Sequence, residues 1–270
     1  MPSSLPGSAE PLRLAFGNAA ALTSRASSFG QRAAEYVRVR PEYSAEAIDL
    51  AAAKLGLGAD AEVLDLGAGT GKLTRQLVER FARVTAVEPD TSMLAVLLQA
   101  TDCYLALEGK AEDIPLADRS VDAAFAGQAF HWFDTESALP EIARVLRPRG
   151  GLVLIWNTWW ETDPPVPTAA AELMKKASER PDLEPHSLET NNWRSWFDAS
   201  RFEPLREEKV EQEVLTLDAD RLVTLYLSAS VLGTLPRDEF EAMEKELRVL
   251  IVGEYRLPIG TELYWTRLAK

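Results

Sequence analysis

The run VLDLGAGTG at residues 63–71 constrains this chain more than any other feature. An apolar strand passes through Asp65 into three alternating glycines, Gly67, Gly69 and Gly71, just before a helical pattern. Leu73, Leu77 and Phe81 recur behind it at helical spacing, and residues 84–88 read as a second buried strand. The unit is strand, glycine turn, helix, strand. Its second strand closes on Glu88, twenty-three residues after Asp65. A doubly wound sheet presents an acid to a ribose diol at about that place, at the carboxyl ends of adjacent parallel strands. The combination predicts a ligand that contains a nucleoside.

The glycine spacing narrows which nucleoside. A nicotinamide or flavin fingerprint is G-x-G-x-x-G, with a helix N-terminus facing a pyrophosphate. Here the third glycine comes one place early, and Lys72 holds the expected position. A Walker loop fits no better, because Leu73 follows Lys72 where a Ser or Thr would hold magnesium.

Downstream the chain alternates. Helical patterns over residues 92–99 and 136–146 separate strand patterns at 103–107, 121–126 and 152–156, and a helix over 44–55 that Gly56 ends precedes the first strand. A repeating βα pattern predicts a doubly wound, Rossmann-like α/β fold: a parallel sheet covered by helices. Residues 1–28 mix Pro, Ser, Gly and Ala without periodicity and are expected to form a flexible arm, and 31–39 read as a short helix. Beyond Asn157 the character changes. Tryptophans at 159, 160, 193 and 196, a Pro-rich turn at 164–167 and a helix at 168–178 suggest an insertion, residues 158–200, lying over the site as a helical lid. The tail offers a strand at 205–217, helices at 219–230 and 237–253, and a final strand at 261–268.

Composition excludes several classes of function. With 270 residues and 46% hydrophobic content the chain can bury one elaborated domain, expected over 29–270. A formal net charge of −13 disfavours nucleic acid, whose binding draws on clustered Lys and Arg. No apolar run reaches the roughly 18 residues of a membrane span, and the start lacks a secretory pattern, so the expected location is the cytoplasm. Cys103 is the sole cysteine and the two histidines, His131 and His186, lack paired spacing, so neither an internal disulfide nor a metal site is expected.

Residues 62–74 resemble motif I of the class I S-adenosylmethionine-dependent methyltransferases. Further stretches are similar to the small-molecule branch allied to trans-aconitate methyltransferase: YVRVRPEY at 36–43, VEPD at 87–90, GQAFHWFD at 127–134, and EIARVLRP at 141–148 running into Gly150 and Gly151. In order and spacing they cover residues 29–157, and more faintly the rest. The resemblance implies a seven-stranded sheet of order 3-2-1-4-5-7-6 and S-adenosylmethionine as cofactor. It then implies roles residue by residue. Gly67, Gly69 and Gly71 let the backbone lie against the methionine part, Asp65 faces its ammonium directly or through water, and Glu88 accepts both ribose hydroxyls. Adenine falls beside the loop 109–114. Many relatives carry Asp or Ser where Lys110 stands, and an ammonium cannot accept from the adenine amine, so the Ala111 backbone and Glu112 are the candidate readers. Tyr36 and Arg40 belong to a segment that closes over the cofactor, with Arg40 pairing the methionine carboxylate.

Gln128 to Trp132 follow the fourth strand, where this class sets groups beside the transferable methyl. Gln128 is expected near the cofactor. His131 either takes a proton from a phenol, indole or amine, orients a carboxylate, or holds the loop through a backbone hydrogen bond. Trp132, Trp159, Trp160 and Trp193 either line an apolar acceptor pocket or form the core of the lid. The implied activity is methylation of O, N or C of a small aromatic or apolar acceptor. The alternatives are methylation of a small polyacid's carboxylate and a noncatalytic cofactor-binding protein.

Overall fold

The computed structural model describes residues 40–159, 162–178, 192–198, 200–228 and 235–270. Seven strands form one sheet: β1 Glu62–Leu66, β2 Arg83–Glu88, β3 Leu105–Glu108, β4 Val121–Gly127, β5 Leu146–Trp159, β6 Arg206–Asp218 and β7 Glu254–Arg267. Their order is β3-β2-β1-β4-β5-β7-β6, as the resemblance implied. Strands β1 to β5 pair in parallel, and β7 runs antiparallel to both β5 and β6. Because both faces of the parallel part carry helices, its strands are largely apolar, with Asp65 and Thr85 among the buried polar exceptions.

Alternation along each strand divides the core. Leu64, Leu66, Ala124, Ala126, Leu152 and Leu154 pack with Ile142 and Leu139 of helix α4, Thr135–Val145. The residues between them, Val63, Ala123, Phe125, Val153 and Ile155, pack with α1, Ala45–Lys54, and α2, Lys72–Val78. Helix α3, Thr91–Ala100, covers Ala86 and Ala106 through Leu94 and Leu97. It opens on Asp90, whose carboxylate accepts from the Ser92 and Met93 N–H groups at 2.7 and 3.1 Å.

A third core lies apart. Parallel pairing of β4 with β5 ends at Gly127 and Ile155, yet β5 continues to Trp159 paired only with β7. This antiparallel overhang carries α5, Thr168–Ser178, α6, Ala219–Leu227, and α7, Arg237–Leu250, which close around Leu217, Tyr255, Leu257 and Ile259. The helices on the overhang thus come from the expected lid region and from the tail together.

Two strands are longer than the apolar pattern suggested. β7 begins at Glu254 rather than 261, because β6 pairs with it through Pro258 and Gly260, residues that interrupt a pattern read in isolation. Pro258 is tolerated where β6 is irregular, between Glu211 and Val214. β5 begins at Leu146 rather than 152, with an irregular register against β4 where Arg147 reaches Asp122 and Glu62. Among the described residues no helix is long and apolar enough to cross a membrane.

Candidate functional site

Strands β1, β2 and β4 end side by side at one edge of the sheet, and the glycine turn crosses there. The N–H groups of Gly67 and Ala68 both donate to the Val87 carbonyl, at 2.9 and 3.1 Å, which bends the turn over the end of β2. All three glycines have left-handed backbone, with φ of 69°, 56° and 83°. Their surroundings differ. A Cβ on Gly67 would stand 2.7 Å from the Ala129 Cβ, and one on Gly71 would stand 2.9 Å from Leu97 Cγ. One on Gly69 would meet only the Met93 sulfur, at 4.0 Å. Gly67 and Gly71 are therefore required by the protein's own packing, and Gly69 is the one beside open space.

Two carboxylates flank this turn. Asp65 is 1% exposed; its Oδ2 accepts from the Thr74 hydroxyl at 2.6 Å, while its Oδ1 has no hydrogen-bond partner among the described residues. Burial, opposed by the Thr74 hydrogen bond and aided by the nearby Glu88 charge, pushes the Asp65 carboxyl from 3.8 up to about 7. Glu88, 6% exposed, accepts from the Gly69 N–H at 2.8 Å with Oε2 and from the Asp90 N–H at 2.9 Å with Oε1. Burial raises this carboxyl as well, against those two backbone donors. Each Glu88 oxygen keeps acceptor capacity beyond its one backbone N–H.

At the end of β4, Gln128 adopts left-handed backbone, with φ of 48°, and is held there by its N–H donating to the Ile155 carbonyl at 2.8 Å. Its side chain bridges: Oε1 accepts from Arg40 Nη1 at 3.2 Å and Nε2 donates to the Asn157 carbonyl at 3.2 Å. Arg40 also donates to the Ser228 carbonyl at 2.7 Å and to its hydroxyl at 3.1 Å, fastening the end of α6. Lys72 Nζ donates to the Arg40 carbonyl at 2.6 Å, so the helix after the glycine turn grips the same segment. Asp65, the glycine turn, Glu88, Gln128 and Arg40 are thereby joined at one strand-end edge, as the sequence reading grouped them.

The adenine-side candidates are anchored differently. Ala111 is buried in the core beneath α4, in a turn closed by the Asp113 N–H donating to the Lys110 carbonyl at 3.1 Å. The Glu112 carboxylate accepts from the Asp134 N–H at 2.8 Å, at the start of α4. Arg144 of that helix donates to the Ile114 and Leu116 carbonyls, both at 2.8 Å, and holds the rest of the loop.

The aromatic candidates do not form one wall. His131 and Trp132 lie on a short 3-10 helix, Phe130–Trp132; Trp132 is 52% exposed, and His131 Nδ1 accepts from the Trp156 indole N–H at 3.5 Å. Trp193 is 2% exposed and packs against Phe130, Trp156 and Tyr264, so the structure places it in the core and not on an open surface. Its neighbour Arg194 lies over the Trp193 and Tyr264 rings at 5.3 and 4.7 Å and donates to the Tyr264 hydroxyl, bracing this segment against β7. Trp159 packs instead against the third core. Tyr36, Trp160, His186 and the arm at 1–28 lie outside the described residues.

Sequence reasoning missed Thr74, Asn157 and Ser228. Thr74 stands inside the glycine motif, and Asn157 is the first polar residue after the apolar run of β5, a signal that could have drawn notice; Ser228 carries none.

A protein of Schizosaccharomyces pombe described as uncharacterized and methyltransferase-like is 33% identical to this chain over 221 residues, 82% of this chain and 84% of that protein. The chain belongs to the class I S-adenosylmethionine-dependent methyltransferases. A family profile described as a methyltransferase domain matches residues 64–154, from β1 into β5. An uncharacterized methyltransferase of Mycobacterium tuberculosis is 55% identical over 131 residues, and the match spans 48% of this chain and only about half, 52%, of that relative's length. The structure of the YcgJ protein from Bacillus subtilis, 20% identical, superimposes with a TM-score of 0.55 over 83% of this chain and 99% of that one, a likeness of fold.

Proposed function

We propose that this chain binds S-adenosylmethionine across the ends of β1, β2 and β4 and methylates a small acceptor. The observation that carries the proposal is the unpartnered Oδ1 of buried Asp65, one glycine turn away from the doubly anchored Glu88 carboxylate. A buried carboxylate oxygen left without a donor is costly unless a ligand supplies one. The donor set fits the cofactor: an ammonium for Asp65, a ribose diol for the remaining acceptor capacity of Glu88, and open space at Gly69 for the chain between them. A pyrophosphate would instead meet two carboxylates, which disfavours nicotinamide.

When bound, the cofactor supplies an electrophilic methyl group on a sulfonium. The residues of the chain hold and orient. Arg40, already beside Gln128, offers its guanidinium to the methionine carboxylate, and the strained turn at Gln128 sets the polar edge of the reaction space. In-line displacement at carbon asks chiefly for alignment and exclusion of water, and the helices on the β5–β7 overhang are the chain's means of covering the site. Half-exposed Trp132, next to His131, favours a flat or apolar acceptor over a sugar. We place the chain beside the trans-aconitate branch on motif order, and in the cytoplasm on its single cysteine, which can form no internal disulfide.

A second acceptor class is favoured by one contact. The Trp156 indole N–H donates to His131 Nδ1, and a neutral ring that accepts there carries its proton on Nε2. Such a ring is a donor, suited to orienting a carboxylate that needs no deprotonation. Titrating the protein with S-adenosylhomocysteine by calorimetry, then supplying methyl-labelled cofactor with phenol, indole, amine and carboxylate acceptors, tests both readings. Binding plus label transfer supports methyl transfer, and the acceptor that takes label assigns the class. Indifference to S-adenosylhomocysteine at millimolar concentration refutes the cofactor assignment, and binding without transfer to any acceptor favours a noncatalytic role. His131→Ala should slow turnover while leaving cofactor affinity unchanged.

A further inference from the structure

We propose that Asn157 is a positioning residue that docks the segment bearing Arg40 against the cofactor edge and ties it to the helices of the overhang. It belongs to none of the motifs that the sequence presents. It sits just past the point where β4 ends, on the part of β5 that pairs only with β7, and is 6% exposed. Its side chain is fully committed. Nδ2 donates to the Pro41 and Glu42 carbonyls at 3.1 and 3.0 Å, and Oδ1 accepts from the Thr261 hydroxyl at 2.9 Å and the Gln212 amide at 3.2 Å. Its backbone carbonyl accepts from Gln128 Nε2 at 3.2 Å, and Gln128 in turn accepts from Arg40 at 3.2 Å. Asn157, Gln128, Arg40 and Pro41 therefore close a ring, with one member just past the end of β4, one on β5 and two on the incoming segment.

The ring is anchored from outside. Thr261, fully buried on β7, also accepts from the Ser44 N–H at 3.2 Å, at the residue that caps α1. Gln212 reaches inward from the irregular stretch of β6 between Glu211 and Val214, where one extra residue lets a side chain turn toward β7. A buried polar network with every member satisfied specifies one arrangement, whereas an apolar pair of the same volume would stabilise the sheet without defining where residues 40–44 lie. Only an amide offers two donors to two carbonyls and two lone pairs to two donors at once. Arg40 meanwhile holds the Ser228 carbonyl at the end of α6, so the placement of one short segment bears on both the cofactor edge and the helices of the overhang.

The inference rests on the methyl-transfer reading for its effect on cofactor binding, but its structural part can be read without any ligand. Hydrogen–deuterium exchange is compared for the ligand-free wild type, Asn157→Asp and Gln212→Met. Aspartate presents acceptors to two carbonyls, and the methionine removes an anchor that touches neither the segment nor the cofactor edge. Amides of residues 44–48 should exchange about tenfold faster in Asn157→Asp and measurably faster in Gln212→Met, with β1 and β4 amides unchanged, and S-adenosylhomocysteine affinity should fall about tenfold in the first variant. Unchanged protection of 44–48 in Gln212→Met, or faster exchange spread evenly over the sheet, would overturn the proposal. Should Asn157→Asp fail to fold, Gln212→Met decides alone. A wild type that does not bind S-adenosylhomocysteine defeats the methyl-transfer reading and leaves the exchange result to decide the docking role.

Discussion

Asp65→Asn should gain stability relative to the wild type as pH rises, while weakening its ligand site. Burial raises the carboxyl from 3.8 to about 7, so the folded chain binds this proton more tightly than the unfolded chain does. An acid shifted upward costs stability as pH rises from its unfolded value through its folded value, and the cost is complete above the latter. The slope is about 1.4 kcal/mol per pH unit, so the wild type loses about 2 to 3 kcal/mol from this one group between pH 5 and pH 8. Asparagine carries no such proton. Its amide oxygen can still accept from Thr74, and its NH2 takes the place of the unpartnered Oδ1, so the absolute offset between the two proteins depends on that unsatisfied donor. The change of the offset with pH does not. Urea unfolding of both proteins at pH 5, 6, 7 and 8 should therefore show Asp65→Asn gaining on the wild type by about 2 to 3 kcal/mol across the series. An offset that is the same at pH 5 and pH 8 would refute the argument that burial, and not the ligand, sets the state of this carboxylate. In the same variant, affinity for S-adenosylhomocysteine should fall by about tenfold or more, since an amide cannot pair with an ammonium as a carboxylate does.

Glu88→Ala should weaken S-adenosylhomocysteine binding by about 1.5 to 3 kcal/mol in calorimetry, the range for hydrogen bonds to a charged group, and an unchanged dissociation constant would refute the ribose assignment. Gly67→Ala should destabilise the fold by more than 1 kcal/mol, roughly, in urea unfolding, because its Cβ meets Ala129 at 2.7 Å on left-handed backbone. Gly69→Ala, with open space at its Cβ, should cost less stability and more ligand affinity; the reverse ranking would show that Gly69 does not face the ligand. Trp193→Ala should lower stability by about 3 to 5 kcal/mol, as the loss of a large core side chain does, whereas Trp132→Ala at a half-exposed site should change it by less than about 0.5 kcal/mol. Equal losses in thermal unfolding would contradict the division of the tryptophans between core and surface.

Much of the fold and half of the site were legible because their signals are local. Asp65, the three glycines and Glu88 lie within one strand–turn–helix–strand unit, where hydrophobic period, glycine spacing and an acid at a strand end report the same geometry. The helix expected at residues 168–178 is found at those bounds. The aromatic side was read less well for a reason of the same kind. Composition shows that tryptophans cluster after the fifth strand, but a tryptophan that fills a core and one that lines a pocket obey the same pattern, so Trp193 and Trp132 cannot be told apart until their neighbours are known.

From the residues alone came the parallel βα core, the glycine turn and its two carboxylates, since short-range periodicity and turn chemistry dictate them, while the strand order came from the family resemblance. Tertiary structure alone decided which glycine faces open space, how far β5 and β7 run past β4, and that Arg40 meets Gln128 and Ser228, positions 88 and 188 residues away. Such meetings depend on where the sheet delivers distant segments, and a polar side chain waiting for a remote partner looks, in the linear chain, like any other polar side chain.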